Sequence, residues 1–386
     1  MARRAFIVVL DAVGAGALPD AADFGDEGSN TLGNVAKAVG GLRLPHLQAL
    51  GLGNVAPLEG CPPLESAPSV AGRLLEHSLG KDTTVGHWEL TGVITERPFP
   101  TYPDGFPHEV IDAFAAATGR GVIGNVAASG TEIIQRLGEE HQRTGNWIVY
   151  TSADSVFQIA AHEGTVPLEE LYAACRTARG LLTGENAVAR VIARPFEGDA
   201  GAYKRTPNRH DFSLEPSRPN YLTCIREAGA KVTGVGKIND IFAGCDIDDS
   251  YPTKSNADGL ARTIALAREG REGLVFVNLV ETDQTYGHRN DPEGFHRCLQ
   301  EIDAAIPDLR AALGPDDLLI LTSDHGCDPT TASTDHSREY ALLVAHVPGQ
   351  APGGHREGEF ADVGATAAAW LGASAGKGLP GTPIDL

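Results

Sequence analysis

The sequence predicts an α/β protein with a largely parallel sheet flanked by helices, interrupted by a smaller inserted α/β domain. Three observations predict it. Apolar, β-rich runs alternate with helix-like stretches at both ends of the chain, as in sheets whose parallel strands are joined by helices. One of these runs, Leu274–Val280, is continuous, as expected of a strand buried on both faces. Between about Pro98 and Pro216 the composition shifts towards Pro and Gly, with the run RPFPTYPDGFP, and the segment then generates elements of its own.

Taken in order, Ala5–Leu10 reads as a strand and Thr31–Val39 as a helix behind Asn30 as N-cap. Lys231–Gly236 reads as a strand, followed after a loop by a helix over Ala257–Arg268. The strand Leu274–Val280 leads to a long helix over Pro292–Leu313 and a further strand over Asp317–Thr322. Tyr340–Val347 and a helix near Ala361–Leu371 close the pattern. Inside the insertion, Trp147–Thr151 and Val188–Ala193 read as strands and Leu168–Leu182 as a helix. The expected division is therefore a core of residues 1–97 and 217–386, with an inserted domain of residues 98–216.

Composition narrows the function classes. The 386 residues are 42% hydrophobic and 21% charged, enough for a sizeable core. A formal net charge of -20 argues against nucleic acid or an anionic membrane as partner, since both need a basic surface. An anionic substrate would need locally concentrated cations. The opening MARRAFIVVLD resembles a signal peptide only superficially. Its apolar run, Ala5 to Leu10, ends at Asp11, short of the ~7–15 residues of a signal core. The six cysteines are scattered with no C-x-x-C pair, as thiols are in a reduced cytoplasm. A cytoplasmic location is expected.

Three strands end in an acidic residue: Asp11 after FIVVL, Asp283 after VFVNLVET, and Asp324 after LLILTS. In parallel sheets the carboxyl ends of strands line the ligand crevice. Histidines accompany these acids, with His288 in ETDQTYGHRND, His325 in TSDHG and His336 in STDHSREY. Adjacent strand residues face opposite ways, so Asp324 and His325 share a site only where the strand ends, with Gly326 expected to supply the freedom for that turn. A mixed carboxylate–imidazole set suits Mn²⁺, Zn²⁺ or Fe²⁺ better than Ca²⁺ or Mg²⁺. Singly, each histidine is more often a hydrogen-bonded surface residue; the set points to metal.

The stretch GKDTTVGHWELTG places two hydroxyls before a helix-compatible run. Such hydroxyls are commonly plain N-caps. Near divalent ions, a threonine at a helix N-terminus becomes a plausible nucleophile. Candidate cations for an anionic substrate are Lys81, Arg190, Arg205, Arg209 and Lys237, although surface Lys and Arg are usually only solvated.

These residues carry a resemblance. An Asp at the first strand's end, a Thr before V-G-H, D-x-x-x-x-H, D-H-G and a later His resemble the alkaline phosphatase superfamily. GKDTTVGHWE, IVYTSADSVFQIAAHE, RTPNRHDF, GKINDIFAG and TDHSREY are similar to the phosphopentomutase family, across nearly the whole chain. The resemblance implies an alkaline-phosphatase-like core with a cap domain. It implies one metal held by Asp283, His288 and His336, and another by Asp11, Asp324 and His325, both usually manganese. Overlaying V-G-H on the reactive N-S-x-V-G-H of cofactor-independent phosphoglycerate mutases places the nucleophile at Thr83, not Thr84. The chain departs from the family at Val85, where Thr is frequent, and at Cys327, where Asn is common.

The resemblance further implies substrate contacts from Lys81, Ser152, Asp154, Val156, Arg190, Arg205, Arg209 and Lys237. The implied reaction interconverts α-D-ribose 1-phosphate and D-ribose 5-phosphate, and the deoxyribose pair, through a phosphothreonine and ribose 1,5-bisphosphate. Glucose 1,6-bisphosphate or ribose 1,5-bisphosphate would prime the enzyme. The insert is expected to act as a lid against water. The expected partners are small pentose phosphates, with the chain a monomer. A phosphatase, phosphodiesterase or phosphoglycerate mutase of the same superfamily stays open on the metal set alone, as does a non-catalytic phosphosugar-binding metalloprotein.

Overall fold

The computed structural model describes residues 3–152, 154–350, 353–374, 376 and 378–386. The chain divides into two compact units, one of Met1–Arg97 with Pro216–Leu386 and one of Pro98–Glu215.

The first unit is built on a nine-stranded sheet. Its centre is three adjacent parallel strands, Gly273–Leu279, Arg4–Leu10 and Asp317–Thr322, in register from Arg4 opposite both Gly273 and Asp317. Every residue of Gly273–Leu279 and Asp317–Thr322 is buried. One face carries Phe6, Val8, Val275, Val277, Leu319 and Leu321, packed in one cluster with Leu260 of the helix Asn256–Arg268 and Phe295, Leu299 and Ile302 of Pro292–Ala312. On the other face the helix Ala361–Trp370 contacts the first strand and Asp317–Thr322. Two covered faces explain why these segments read as unbroken apolar runs.

Val232–Val235 and Asp249–Tyr251 extend the sheet in parallel on one side. On the other, Glu339–His346 runs antiparallel to Asp317–Thr322 and to Val70–Leu75, and His355–Glu359 pairs in parallel with Val70–Leu75 at the edge. The short strand Gly14–Ala17 also pairs with Glu339–His346. Val232–Val235 and Glu339–His346 fall where the sequence reads Lys231–Gly236 and Tyr340–Val347, but Gly14–Ala17, Val70–Leu75, Asp249–Tyr251 and His355–Glu359 were not announced. HREGE has no apolar alternation, and it joins the sheet through its backbone. The approach is so close that a Cβ on Gly72 would fall 1.6 Å from the Arg356 carbonyl oxygen.

The second unit has its own six-stranded sheet, in the order Val122–Ala127, Trp147–Thr151, Val156–His162, Arg190–Glu197, Lys204–Arg205, with His210–Ser213 also on Arg190–Glu197. One face buries Phe106, Phe114, Trp147 and Phe157 against the helix Leu168–Leu181. The other buries Ile148, Tyr150 and Phe196 against Ile133 and Ile134 of the helix Gly130–Thr144. Each unit thus has an independent core, as expected of a domain.

All six cysteines are free thiols. Among the described residues no helix is long and apolar enough to cross a membrane.

Candidate metal centre

Asp11, Asp283, Asp324 and His325 follow the carboxyl ends of the three central strands, so the sheet itself brings them together. Local backbone then aims them. Ala12, next to Asp11, is held at φ 64°, a left-handed conformation costly for a residue with a Cβ. Its N–H donates to Asp324 Oδ1 at 3.2 Å, and its carbonyl accepts from Cys327 N at 3.2 Å. Asp283 lies in a π-helical turn over Thr282–Tyr286, which runs into the 3₁₀ turn Gly287–Arg289 carrying His288. Such turns recur at functional sites because they re-aim a side chain.

Gly326 behaves differently from expectation. It does not adopt positive φ; what it provides is space, because a Cβ there would lie 2.5 Å from Glu339 Oε1. Backbone bonds between Gly326 and Ser337 in both directions then fasten the segment carrying His336 to the segment carrying His325.

Two clusters result. In the deeper one, His325 Nε2 lies 3.3 Å from Asp11 Oδ1 and 3.5 Å from Asp324 Oδ2. In the shallower one, His288 Nε2 and His336 Nε2 each lie 3.3 Å from Asp283 Oδ1 and 3.1 Å from each other. Asp11 Oδ1, Asp283 Oδ1 and Asp324 Oδ2 are buried with no hydrogen bond of normal geometry. For Asp324 Oδ2, His87 Nδ1 is near at 3.1 Å, but that nitrogen also meets the Thr83 carbonyl at 2.9 Å.

Electrostatics point the same way. Burial, and next the Asp324 carboxylate, pushes the Asp11 carboxyl up. Burial also acts against ionised Asp324, but His325 and His87 outweigh it and hold it down. Burial likewise opposes Asp283, where the close His288 and His336 imidazoles prevail and hold it well below the carboxylate range. His288 is pushed up to about 11, first by its bond to Asp283. His325 stays well above the usual imidazole value despite burial, because of Asp324 and Asp11. Unpartnered buried carboxylate oxygens beside imidazole nitrogens that face one another fit divalent cations with mixed O and N ligands.

Thr83 is the first residue of the helix Thr83–Leu90, whose N-cap Asp82 accepts from Thr84 N and Val85 N at 2.9 and 3.2 Å. Its hydroxyl lies 3.2 Å from His325 Nε2. The helix comes this close because position 86 is glycine: a Cβ there would be 2.0 Å from the Asp324 carbonyl oxygen. Lys81 Nζ pairs with Asp26 at 2.9 Å and reaches Asp335, beside His336, at 3.5 Å. Lys237 is exposed and donates to Gln284, next to Asp283, at 3.1 Å.

The remaining candidates lie in the inserted unit. Arg209 makes a two-pronged pair with Asp211 at 2.7 and 2.6 Å, and Arg190 lies 3.6 Å from Asp211 and 3.9 Å from Asp154. Arg205 is exposed on the short strand Lys204–Arg205, Ser152 is half-buried, and Val156 is buried at the start of its strand.

Sequence reasoning gave no role to several supporting residues. His87, fully buried, fastens Thr83 and Asp324; its i,i+4 spacing from Thr83 on one helix face was the available signal. Asn278 Nδ2 donates to Asp11 Oδ2 at 2.8 Å, and Thr282 Oγ1 donates to the Asp11 carbonyl at 2.6 Å. Arg338, two residues after His336, is buried on Glu76 at 2.6 Å, Asp20 at 3.0 Å and the Gly80 carbonyl at 2.9 Å, tying the His336 segment to the loop that leads to Thr83. Long sequence separation hid these pairs.

Residues 3–375 match the metalloenzyme superfamily. Curated relatives include phosphopentomutases of Anaeromyxobacter dehalogenans (58% identical over 375 residues) and Carboxydothermus hydrogenoformans (55% over 379 residues), covering 96–97% of both chains. A phosphopentomutase of Desulfitobacterium hafniense is 54% identical over 96% of each chain. Among solved structures, a Leishmania mexicana phosphoglycerate mutase covers 100% of this chain and 98% of its own, with a TM-score of 0.51 at 12% identity, a likeness of fold. By sequence over almost its whole length, the chain belongs to the phosphopentomutase family of the metalloenzyme superfamily, a family of isomerases.

Proposed function

We propose that the chain interconverts α-D-ribose 1-phosphate and D-ribose 5-phosphate, and the 2-deoxyribose pair, through a phosphorylated Thr83. The resting enzyme gives this phosphoryl group to the free hydroxyl of a pentose monophosphate, whose proton leaves as the new P–O bond forms. The Thr83 Oγ–P bond breaks, giving ribose 1,5-bisphosphate. Thr83 then takes the other phosphoryl group, and the isomerised monophosphate departs. Glucose 1,6-bisphosphate or ribose 1,5-bisphosphate primes the dephospho form.

The observation that carries this reading is the Thr83 hydroxyl at a helix N-terminus, 3.2 Å from His325 Nε2. There the positive end of the helix dipole favours an alkoxide or phosphate. Two Mn²⁺ ions, one with Asp11, Asp324 and His325 and one with Asp283, His288 and His336, supply Lewis acidity and lower the hydroxyl pKa. His87 holds the Thr83 carbonyl and Asp324 together. Lys81 and Lys237 in the core unit, and Arg190, Arg205, Arg209, Ser152, Asp154 and Val156 in the inserted one, are proposed as substrate contacts. The Arg209–Asp211 pair makes that role a competition, because a phosphate must replace the carboxylate on the same guanidinium fork. In this reading the enzyme is a cytoplasmic monomer acting on small phosphosugars, and nucleic acid is not a partner.

The test incubates manganese-loaded protein with glucose 1,6-bisphosphate and ribose 1-phosphate, following ribose 5-phosphate and free phosphate together. Ribose 5-phosphate without matching phosphate release, abolished by Thr83→Ala, is the expected result. Free phosphate with little ribose 5-phosphate would make it a phosphatase.

A further inference from the structure

Cys327 is 1% exposed and stands two residues beyond His325. Its backbone is fixed, because its N–H is shared between the Ala12 carbonyl and Thr31 Oγ1, each at 3.2 Å. The sulfur, a ring nitrogen of His288 and a carboxylate oxygen of Asp283 all lie within 4.8 Å of one another. The turn carrying His288 packs directly on that sulfur: a Cβ on Gly287 would come within 2.9 Å of it. A second observation points to a ligand independently. Asp283, 8% exposed, has a buried Oδ1 that makes no hydrogen bond of normal geometry, although His288 Nε2 and His336 Nε2 each lie 3.3 Å away.

From this arrangement we propose that Cys327 is a sulfur ligand to the divalent ion held by Asp283 and His288. Metal binding releases the thiol proton to solvent, and nothing is oxidised or reduced. Sulfur is a soft donor, so it raises the affinity of this half for Zn²⁺ or Co²⁺ relative to Mn²⁺ above that of a carboxylate–imidazole set alone, whichever metal is loaded. The inference rests on the cluster being a metal site, and it adds a ligand and a metal preference to that reading. The competing description is a structural thiol held by hydrogen bonds with the Asp335 carbonyl, 3.6 Å from its sulfur, and with His288.

The test titrates metal-free full-length protein with Co²⁺ and records absorption spectra together with bound cobalt by elemental analysis. The expected wild-type result is visible ligand-field bands accompanied by a near-ultraviolet sulfur-to-cobalt charge-transfer band. Cys327→Ser should keep the bound cobalt and lose the charge-transfer band. Its preference for Zn²⁺ over Mn²⁺ in competition should fall about 10-fold or more, the scale on which ligand-sphere changes move affinity. Cobalt bound with ligand-field bands but no charge-transfer band in the wild type overturns the sulfur ligand and leaves the metal site standing. No cobalt bound at all overturns both. The wild-type spectrum decides even where the variant fails to fold.

Discussion

The two carboxylate–histidine clusters lie within one unit yet differ in burial and in charge balance. The side chains of Asp11, Asp324 and His325 are 0–2% exposed, whereas those of Asp283, His336 and His288 are 11%, 16% and 37% exposed. The deep cluster sets the carboxylates of Asp11 and Asp324 against the imidazole of His325. It cannot ionise fully without help, so Asp11 is pushed up while Asp324 is held down. The shallow cluster sets one carboxylate between two imidazoles and balances itself, with Asp283 well down and His288 up at about 11. A cation relieves buried repulsion in the first. In the second it must displace a proton. The deep ion should therefore be the structural anchor of the centre, and the shallow ion the exchangeable one.

The largest expected effect breaks the centre at its deepest point. Asp324→Asn should lower mutase activity by about 10³-fold or more, since it removes a ligand and the anchor of Ala12 and His87 together. His288→Asn should cost less, and equal losses from the two variants would end the distinction. Next in size is a stability effect. Glu76→Gln leaves Arg338 buried with a weakened partner, and denaturant unfolding should show a loss approaching the ~3–5 kcal/mol of a broken buried pair. Unchanged stability would mean that Asp20 suffices for Arg338.

A smaller effect concerns release. Stepwise chelation followed by metal analysis should remove the shallow ion first and the deep ion only at higher chelator concentration; simultaneous loss of both would contradict the ordering. His87→Asn should weaken metal retention or activity about 10–100-fold without removing a ligand.

The smallest effect is a pH dependence of the shallow cluster in the metal-free protein. His288 is raised from 6.5 to about 11 by folding. Its contribution to stability is therefore fully present below pH 6.5 and lost as pH rises through about 11. Metal affinity at the same cluster should move oppositely over that window, rising with pH as the imidazolium proton becomes easier to displace. Thermal melts of metal-free wild type and His288→Asn across this range check it, and parallel curves would show that no such linkage exists.

The sequence by itself determined the layered α/β core and the strands that end in Asp11, Asp283 and Asp324. Burial on both faces writes itself into composition, and Leu274–Leu279 could hardly read otherwise. It also marked the histidines and Thr83, because reactive residue types recur at fixed local spacings beside strand ends and helix starts. The edge strand His355–Glu359 was illegible, since its pairing depends on the missing side chain of Gly72 and not on its own residues. Gly326 was read for the wrong property, because whether a glycine serves φ or space depends on what stands opposite, here Glu339.

The family resemblance already implied which histidine groups with which carboxylate; only the tertiary structure decided that His87 braces Thr83 against Asp324 and that Cys327 faces Asp283 and His288. Those relations join residues up to hundreds of positions apart. No local pattern encodes them; they exist because parallel pairing sets Leu10 opposite Leu279 and Val9 opposite Thr322, and so delivers the strand ends to one place.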